Sequence, residues 1–277
     1  MTVLRNLTAA VADSMFGARR FHITSELMPV ASASRSVPCE ECPFRSFHNV
    51  FRDFTRDELD FVSRFKAGEL RVERGTTFLA QESTSEHLFT VLGGWAFRYK
   101  MLPDGRRQIL NYALPGDFVG LQASVLNQME HSVEALSDMV LCIFPRAKLW
   151  ELHRGHPTLA FDLTWLAARE EQIIDENLLS VGRRSALERI AYLLLHLFTR
   201  AKQLGLGKGD TFQFPLTQQH VADTLGMSLV HANKTFQRLR RANVVRWDKN
   251  RVEILDGAAL AQIAQYDVRE PLQRPFI

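Results

Sequence analysis

The chain has 277 residues, 46% of them hydrophobic and 23% charged, with a formal net charge of +3. That is enough for one large or two ordinary domains with their own cores, which excludes a stapled miniprotein and a disordered low-complexity chain. No apolar run approaches the roughly 18–20 residues that span a bilayer, so no membrane partner is expected; few cysteines and no secretory signal suit a cytoplasmic protein.

The first stretch, MTVLRNLTAAVADSMFGARRF, is weakly amphipathic and poor in acids. It has no apolar core followed by a small-residue cleavage site, so it does not read as a secretory signal. Residues 1–38, ending in the Ser/Ala/Pro-rich MPVASASRSVP, read as a poorly ordered arm or linker. Cys39 and Cys42 follow, with two residues between them and just before Pro43. In RDFTRDELDFVSRF (52–65), Phe54, Leu59, Val62 and Phe65 have helical spacing, with Thr55 as a cap and Glu58 three residues later.

From Leu70 the period changes. LRVERGTTFLAQ, HLFTVLGGWAFRYKML and RRQILNYAL alternate apolar and polar residues, and LPDGRR supplies a turn between two of them. DMVLCIFP, which contains Cys142, reads as another short strand. Many short strands at this spacing predict an antiparallel barrel or sandwich, here assigned to a sensor domain over 39–156. No GxGxxG, phosphate-binding loop or nucleophile elbow occurs.

From about Pro157 the pattern is helical. Leu159, Leu163, Leu166, Ile173 or Ile174, Leu178 and Val181 form one stripe over residues 157–182. A helix this long cannot bury its stripe on a small barrel alone, so a second copy of the chain is the expected partner. SALERIAYLLLHLFTRAKQLG then reads as a buried helix opening a C-terminal domain over 183–277. Within it, LTQQHVADTLGMSLVHANKTFQRLRR carries two short amphipathic segments. Val221 and Leu225 share a face in the first, and Ala232, Thr235, Phe236 and Leu239 in the second. Ala222 allows a close crossing, Gly226 can take the positive φ that ends a helix, and Ser228 can cap the next one. Two helices joined around a glycine in this way predict a helix-turn-helix. VVRWDKNRVEIL, with its polar turn at Asp248–Asn250, reads as a following two-stranded wing. Between Arg183 and Arg251, thirteen Lys/Arg face four Asp/Glu, a local charge of +9 against −6 elsewhere. A basic domain with such a motif points to double-stranded DNA.

The whole is an α+β chain: an N-terminal antiparallel β-roll, a long dimerisation helix and a C-terminal winged helix-turn-helix. In that order, and with LPGDFVGL (114–121) as a glycine-marked roll turn, residues 39–265 resemble the family of the cAMP receptor protein and the fumarate–nitrate reduction regulator. The resemblance implies a homodimeric transcription regulator on a two-fold symmetric operator, with RNA polymerase as a further partner. It also implies a recognition helix starting at Ser228 and presenting Leu229, Val230, His231, Asn233, Lys234 and Gln237 to the groove. Asn233 would read adenine and Lys234 a guanine or a phosphate, while Arg238, Arg240, Arg241, Lys249 and Arg251 would contact phosphates. Guanine-reading relatives carry an acid where this chain has Val230 and an arginine where it has Lys234, so the operator sequence does not carry over.

Two signals are weighed against the resemblance. Cyclic-nucleotide binders carry a Glu after the roll glycines and an Arg-Ser or Arg-Thr pair about ten residues on. Here Gln122 or Ala123 and Glu130-His131 stand in those places, so cyclic nucleotide is not expected. The oxygen-sensing branch holds an iron–sulfur cluster with N-terminal cysteines and one in the roll. Cys39, Cys42 and Cys142 match three of those places, and His48 stands near the fourth. The set implies an iron–sulfur cluster or zinc, or, without metal, a thiol redox switch. Buried small hydrophobes are the plain alternative. An unrelated small ligand in the roll is a further alternative. An enzyme of the cupin type, with His87, His131, His153 or His156 as metal ligands, is not expected: no HxH pair occurs and the basic domain would go unused.

Overall fold

A computed structural model describes residues 36–266 and 273–277. Most of the predicted arm lies outside these; of its last residues, Val37 is tied to the roll, its amide to the Glu69 carboxylate at 2.8 Å and its carbonyl to Lys66 Nζ at 2.7 Å.

Helix α1 (Arg56–Phe65) starts where the sequence marks it. The Thr55 hydroxyl accepts from the Glu58 amide, and the Glu58 carboxylate accepts from the Thr55 amide. This reciprocal cap satisfies two of the helix's orphan donors. The roll follows as β1 (Gly68–Val72), β2 (Thr77–Leu79), β3 (His87–Gly93), β4 (Ala96–Met101), β5 (Arg107–Ala113), β6 (Phe118–Val119), β7 (Ser132–Ala135) and β8 (Met139–Pro145). A short helix, α2 (Leu121–Leu126), lies between β6 and β7. The strands form two antiparallel sheets, ordered β1-β8-β3-β6 and β2-β7-β4-β5, enclosing a core that includes Val91, Val119, Met129 and Leu141. In the LPDGRR turn Gly105 takes φ +85°, which turns the chain back so that the Arg106 carbonyl accepts from the Leu102 amide at 2.9 Å.

Helix α3 (Leu149–Gly155) leads into the 27-residue α4 (Pro157–Arg183), with Pro157 in the first turn, where no donor is lost. Here the structure corrects the predicted interface. Leu159, Leu163 and Leu166 pack inside the chain against Phe61, Phe65, Phe144 and Leu152, and Ile173 is also buried. Helix α1 and the outer face of β8 form a second apolar wall for the long helix, which the small-barrel reading left out. Arg52 fastens this layer by bonding Glu58 of α1 and Asp162 of α4 together. Val181 is half-buried beside Gly226. Of the predicted stripe Leu178, at 70%, and Ile174 are exposed, and Leu179 joins them.

The C-terminal half contains α5 (Ala186–Gln203), β9 (Gly207–Lys208), β10 (Thr211–Gln213), α6 (Gln218–Leu225), α7 (Leu229–Arg241), β11 (Val245–Asp248), β12 (Arg251–Ile254) and α8 (Gly257–Ala264). The wing strands β11 and β12 are extended by β10 and β9 into one antiparallel sheet. Those two strands are too short to leave a period in the sequence. The core runs without a break from Trp95, Phe97 and Tyr112 of the roll to Leu194, Phe236 and Val252 of this half.

Candidate nucleic-acid interface and signal cavity

Helix α6 ends at Gly226, whose φ of +61° is the left-handed stop its sequence position requires. The Ser228 hydroxyl then caps α7, accepting from the His231 amide at 3.2 Å. Ala232, Thr235, Phe236 and Leu239 face inward, as their spacing predicts. The opposite face presents Val230, Lys234, Gln237 and Arg241 to solvent, flanked by Leu229, His231 and Arg238. Asn233 departs from the expectation. It is half-buried at the border of the face, and its Oδ1 is enclosed without a hydrogen-bond partner among the described residues. The helix turn at 100° per residue sets this border, whereas the resemblance had implied Asn233 among the readers. A groove of about 370 Å³ separates α7 from the wing and is edged by Gln237, Arg240, Lys249 and Asn250. Trp247 supports the wing by packing on Phe236 and Phe214.

Helix α6 sits directly on the roll. Arg107 of β5 donates to Asp223 at 2.9 and 3.0 Å, and the Gln108 side-chain Nε2 donates to the Thr224 carbonyl at 2.9 Å. Tyr112 and Thr224 share a hydroxyl contact below them. The strand that ends the LPDGRR hairpin therefore holds the first helix of the helix-turn-helix.

Between the roll and α4 lies a cavity of about 620 Å³. Its walls are mostly apolar, with Phe118, Leu121, Val125, Met129 and Leu166 among them. Arg98, Arg169, Arg200 and Arg274 also line it, which the reading of residues 122–131 did not anticipate. Arg98 donates to Glu170 at 2.7 Å, yet its Nε is enclosed and has no partner among the described residues. Asp117, from the LPGDF turn, is buried between Arg200 and Arg274 and also accepts from the Leu114 amide at 2.8 Å. Burial alone would raise its carboxyl, but the two guanidiniums and that amide outweigh it and hold the carboxyl at about 2. Gln122 turns its side-chain oxygen to the Glu130 amide at 3.2 Å.

His131, 6% exposed, lines the same cavity. Burial, with Arg98 and Lys100 adding to it, pushes its imidazole down to about 3. It is therefore neutral in the folded chain, whereas the unfolded chain takes up a proton below about pH 6.5. Stability from this group is full above that value and is lost progressively as pH falls toward 3. The expected loss at pH 5 is about 2 kcal/mol relative to pH 7.5. Urea unfolding of wild type and His131→Gln at the two pH values checks this, the variant showing the smaller drop.

The three cysteines share one neighbourhood, near enough for their charges and that of Lys66 to act on one another. Burial pushes all three thiols up, Cys142 to about 12, with Lys66 only partly opposing it. His48 does not join them. It is exposed and pairs with Asp53 at 3.1 Å. Among the described residues no group of three or more His, Cys, Asp or Glu is arranged to hold a metal ion. Of the predicted Cys39/Cys42/His48/Cys142 set, the structure brings the three cysteines together and leaves His48 apart from them, on Asp53.

Residues 69–156 match the model of the cyclic nucleotide-binding domain, and residues 188–263 match that of the Crp-like helix-turn-helix domain. The nitrogen fixation regulation protein FixK of Bradyrhizobium diazoefficiens is 33% identical over 190 residues, covering 69% of this chain and 79% of that protein. The chain belongs to the Crp/Fnr family of transcription regulators.

Another Crp/Fnr relative is the transcriptional activator protein FnrL of Cereibacter sphaeroides, 29% identical over 233 residues, 83% of this chain and 92% of that one. The solved structure of FixK2 from Bradyrhizobium japonicum shares the fold at a TM-score of 0.66 and 23% identity, over 72% of this chain and 98% of that one. As a Crp/Fnr member the chain is a DNA-binding regulator with a helix-turn-helix, and the family is not enzymatic. Among the described residues no helix is long and apolar enough to cross a membrane.

Proposed function

We propose that this Crp/Fnr regulator acts as a homodimer on a two-fold symmetric operator and takes its signal as a small ligand in the cavity between roll and α4. The observation that carries the reading is the unpartnered Nε of Arg98 in an apolar cavity that also meets the buried Asp117 pairs. An enclosed donor without an acceptor is costly, and a ligand carboxylate or phosphate oxygen would satisfy it. Dimerisation draws on the exposed Ile174, Leu178 and Leu179, which a second copy would cover. On DNA, Lys234 and Arg241 meet phosphates or guanine, Gln237 reads a base edge, and exposed Leu229 and Val230 offer apolar contact to thymine methyl groups. Bound beside a promoter in the cytoplasm, the dimer would work through RNA polymerase, in keeping with the transcriptional activators among its relatives.

The test is a mobility shift on two-fold symmetric and single half-site fragments, with and without fractionated small organic acids and nucleotides. Ligand-dependent affinity for symmetric sites, lost in Arg98→Met, supports the reading. Ligand-independent binding in every fraction opposes it.

An oxygen or redox signal acting on free thiols would meet groups whose ionisation burial disfavours. Cys42→Ser and Cys142→Ser are accordingly expected to bind DNA within twofold of wild type, in air and without it. Operator binding under both atmospheres measures this, and an air-dependent wild type made insensitive by either serine would restore the cysteines as the sensor.

A further inference from the structure

Residues 274–277, Arg-Pro-Phe-Ile, lie outside both family-matched segments and leave the C-terminal half to pack on the sensor half. Three kinds of contact hold them. Arg274 forms a backbone bridge with Phe51, its amide on the Val50 carbonyl at 2.8 Å and its carbonyl on the Arg52 amide at 3.0 Å. Its guanidinium lies over the Phe51 ring and donates to Asp117 at 2.7 Å and to the Pro115 carbonyl at 2.8 Å. Phe276 sits among Phe44, Phe51 and Phe54, with ring centroids 4.9–5.6 Å away, and Ile277 is 3% exposed, its carbonyl accepting from Thr90 of β3. The roll is shaped for this segment. At Gly116 a Cβ would lie 2.5 Å from the Phe51 ring and 2.7 Å from the Arg274 guanidinium.

We infer that residues 44–54 and the LPGDF turn form a docking groove for the Arg-Pro-Phe-Ile segment, which straps the DNA-binding half to the sensor half. Asp117 is the shared anchor, because it pairs at once with Arg274 of the strap and Arg200 of α5. The contacts that hold the strap are made with residues 44–54, the LPGDF turn and β3, while the outer face of α7 is exposed. The strap therefore orders the DNA-binding half for DNA, and does not block it.

The test uses the chain with residues 273–277 deleted and a fluorescent Gln-Arg-Pro-Phe-Ile peptide. The peptide should bind the deleted chain saturably and the intact chain at least tenfold more weakly, because there the groove is filled. Peptides with Arg→Ala or Phe→Ala should lose at least tenfold. Affinity of the deleted chain for DNA should fall about tenfold and recover with added peptide. A deleted chain with wild-type circular dichroism that does not take up the peptide overturns the groove. Peptide binding with unchanged or raised DNA affinity overturns the ordering role. Should the deletion fail to fold, Phe276→Ala in the full chain replaces it. Hydrogen exchange at the Arg52 amide should then rise at least tenfold, and an unchanged rate refutes the strap.

Discussion

A chain carrying Leu178→Asp and Leu179→Asp is expected to be a folded monomer under conditions where the wild type is a dimer, with operator affinity at least a hundredfold lower. Both leucines are exposed in the single chain, 70% and 46%, so charging them costs the monomer little. In a two-fold interface each substitution counts twice, and each buried leucine contributes about 1.5–3 kcal/mol. Removing four such side chains costs about 6–12 kcal/mol, comparable with the free energy of micromolar to nanomolar association, and the carboxylates placed there add to it. Without the dimer the two recognition helices no longer bind as one bivalent unit, and the effective-concentration gain of the second half-site is lost. Light scattering and circular dichroism read the two halves of the claim. Leu166→Asp is the control: its side chain is 7% exposed in the core shared by α1 and α4, so it should unfold the chain and not merely separate copies. A double variant that stays dimeric would move the interface elsewhere.

Lys234→Glu with Arg241→Glu is expected to lower affinity for every DNA sequence by about a thousandfold or more at moderate salt. Both residues stand on the exposed face of α7, whose inner face carries the packing, so the fold should survive the reversal. A dimer presents four such positions, each able to displace counterions from the duplex. The slope of log affinity against log salt should flatten by about 0.9 for each phosphate contact removed. Gln237→Ala gives the contrast. It is expected to cost about 1–3 kcal/mol on the preferred operator and little on random DNA, because it removes a base reader and no charge. Arg241→Ala alone should weaken preferred and random sites alike. Filter binding over a salt series separates these outcomes. Equal losses from Gln237→Ala on both kinds of DNA would show that α7 is rotated from the assigned register.

Much of the fold was written locally. The cap at Thr55 and Glu58, the stop at Gly226, the cap at Ser228 and the inward spacing of Ala232, Thr235, Phe236 and Leu239 each depend on a few neighbouring residues, and each appears as predicted. The alternating strands and the LPDGRR turn are of the same kind. Elements whose length is too short for a period, such as β9 and β10, left no such mark. The candidate site divides along the same line. The basic face of α7 follows from helical geometry applied to the sequence, whereas the cavity draws its arginines from β4, α4, α5 and the strap. Residues 98, 169, 200 and 274 have no common spacing for a sequence reading to find.

The sequence by itself determined the order of elements, the location of positive charge and the family of the chain, because capping, periodicity and motif are short-range properties. Only the tertiary structure decided which apolar stripe is free. Leu159, Leu163 and Leu166 are no more apolar in the sequence than Leu178, which stands about 100° from Leu159 around the helix, and they differ in burial because α1 and β8 cover the first three and leave the last. It likewise decided that His48 is held by Asp53 away from the cysteines, and that Asp117 is clasped by arginines 83 and 157 residues away. Burial and long-range pairing depend on what the rest of the chain brings alongside a residue, and no local pattern records that.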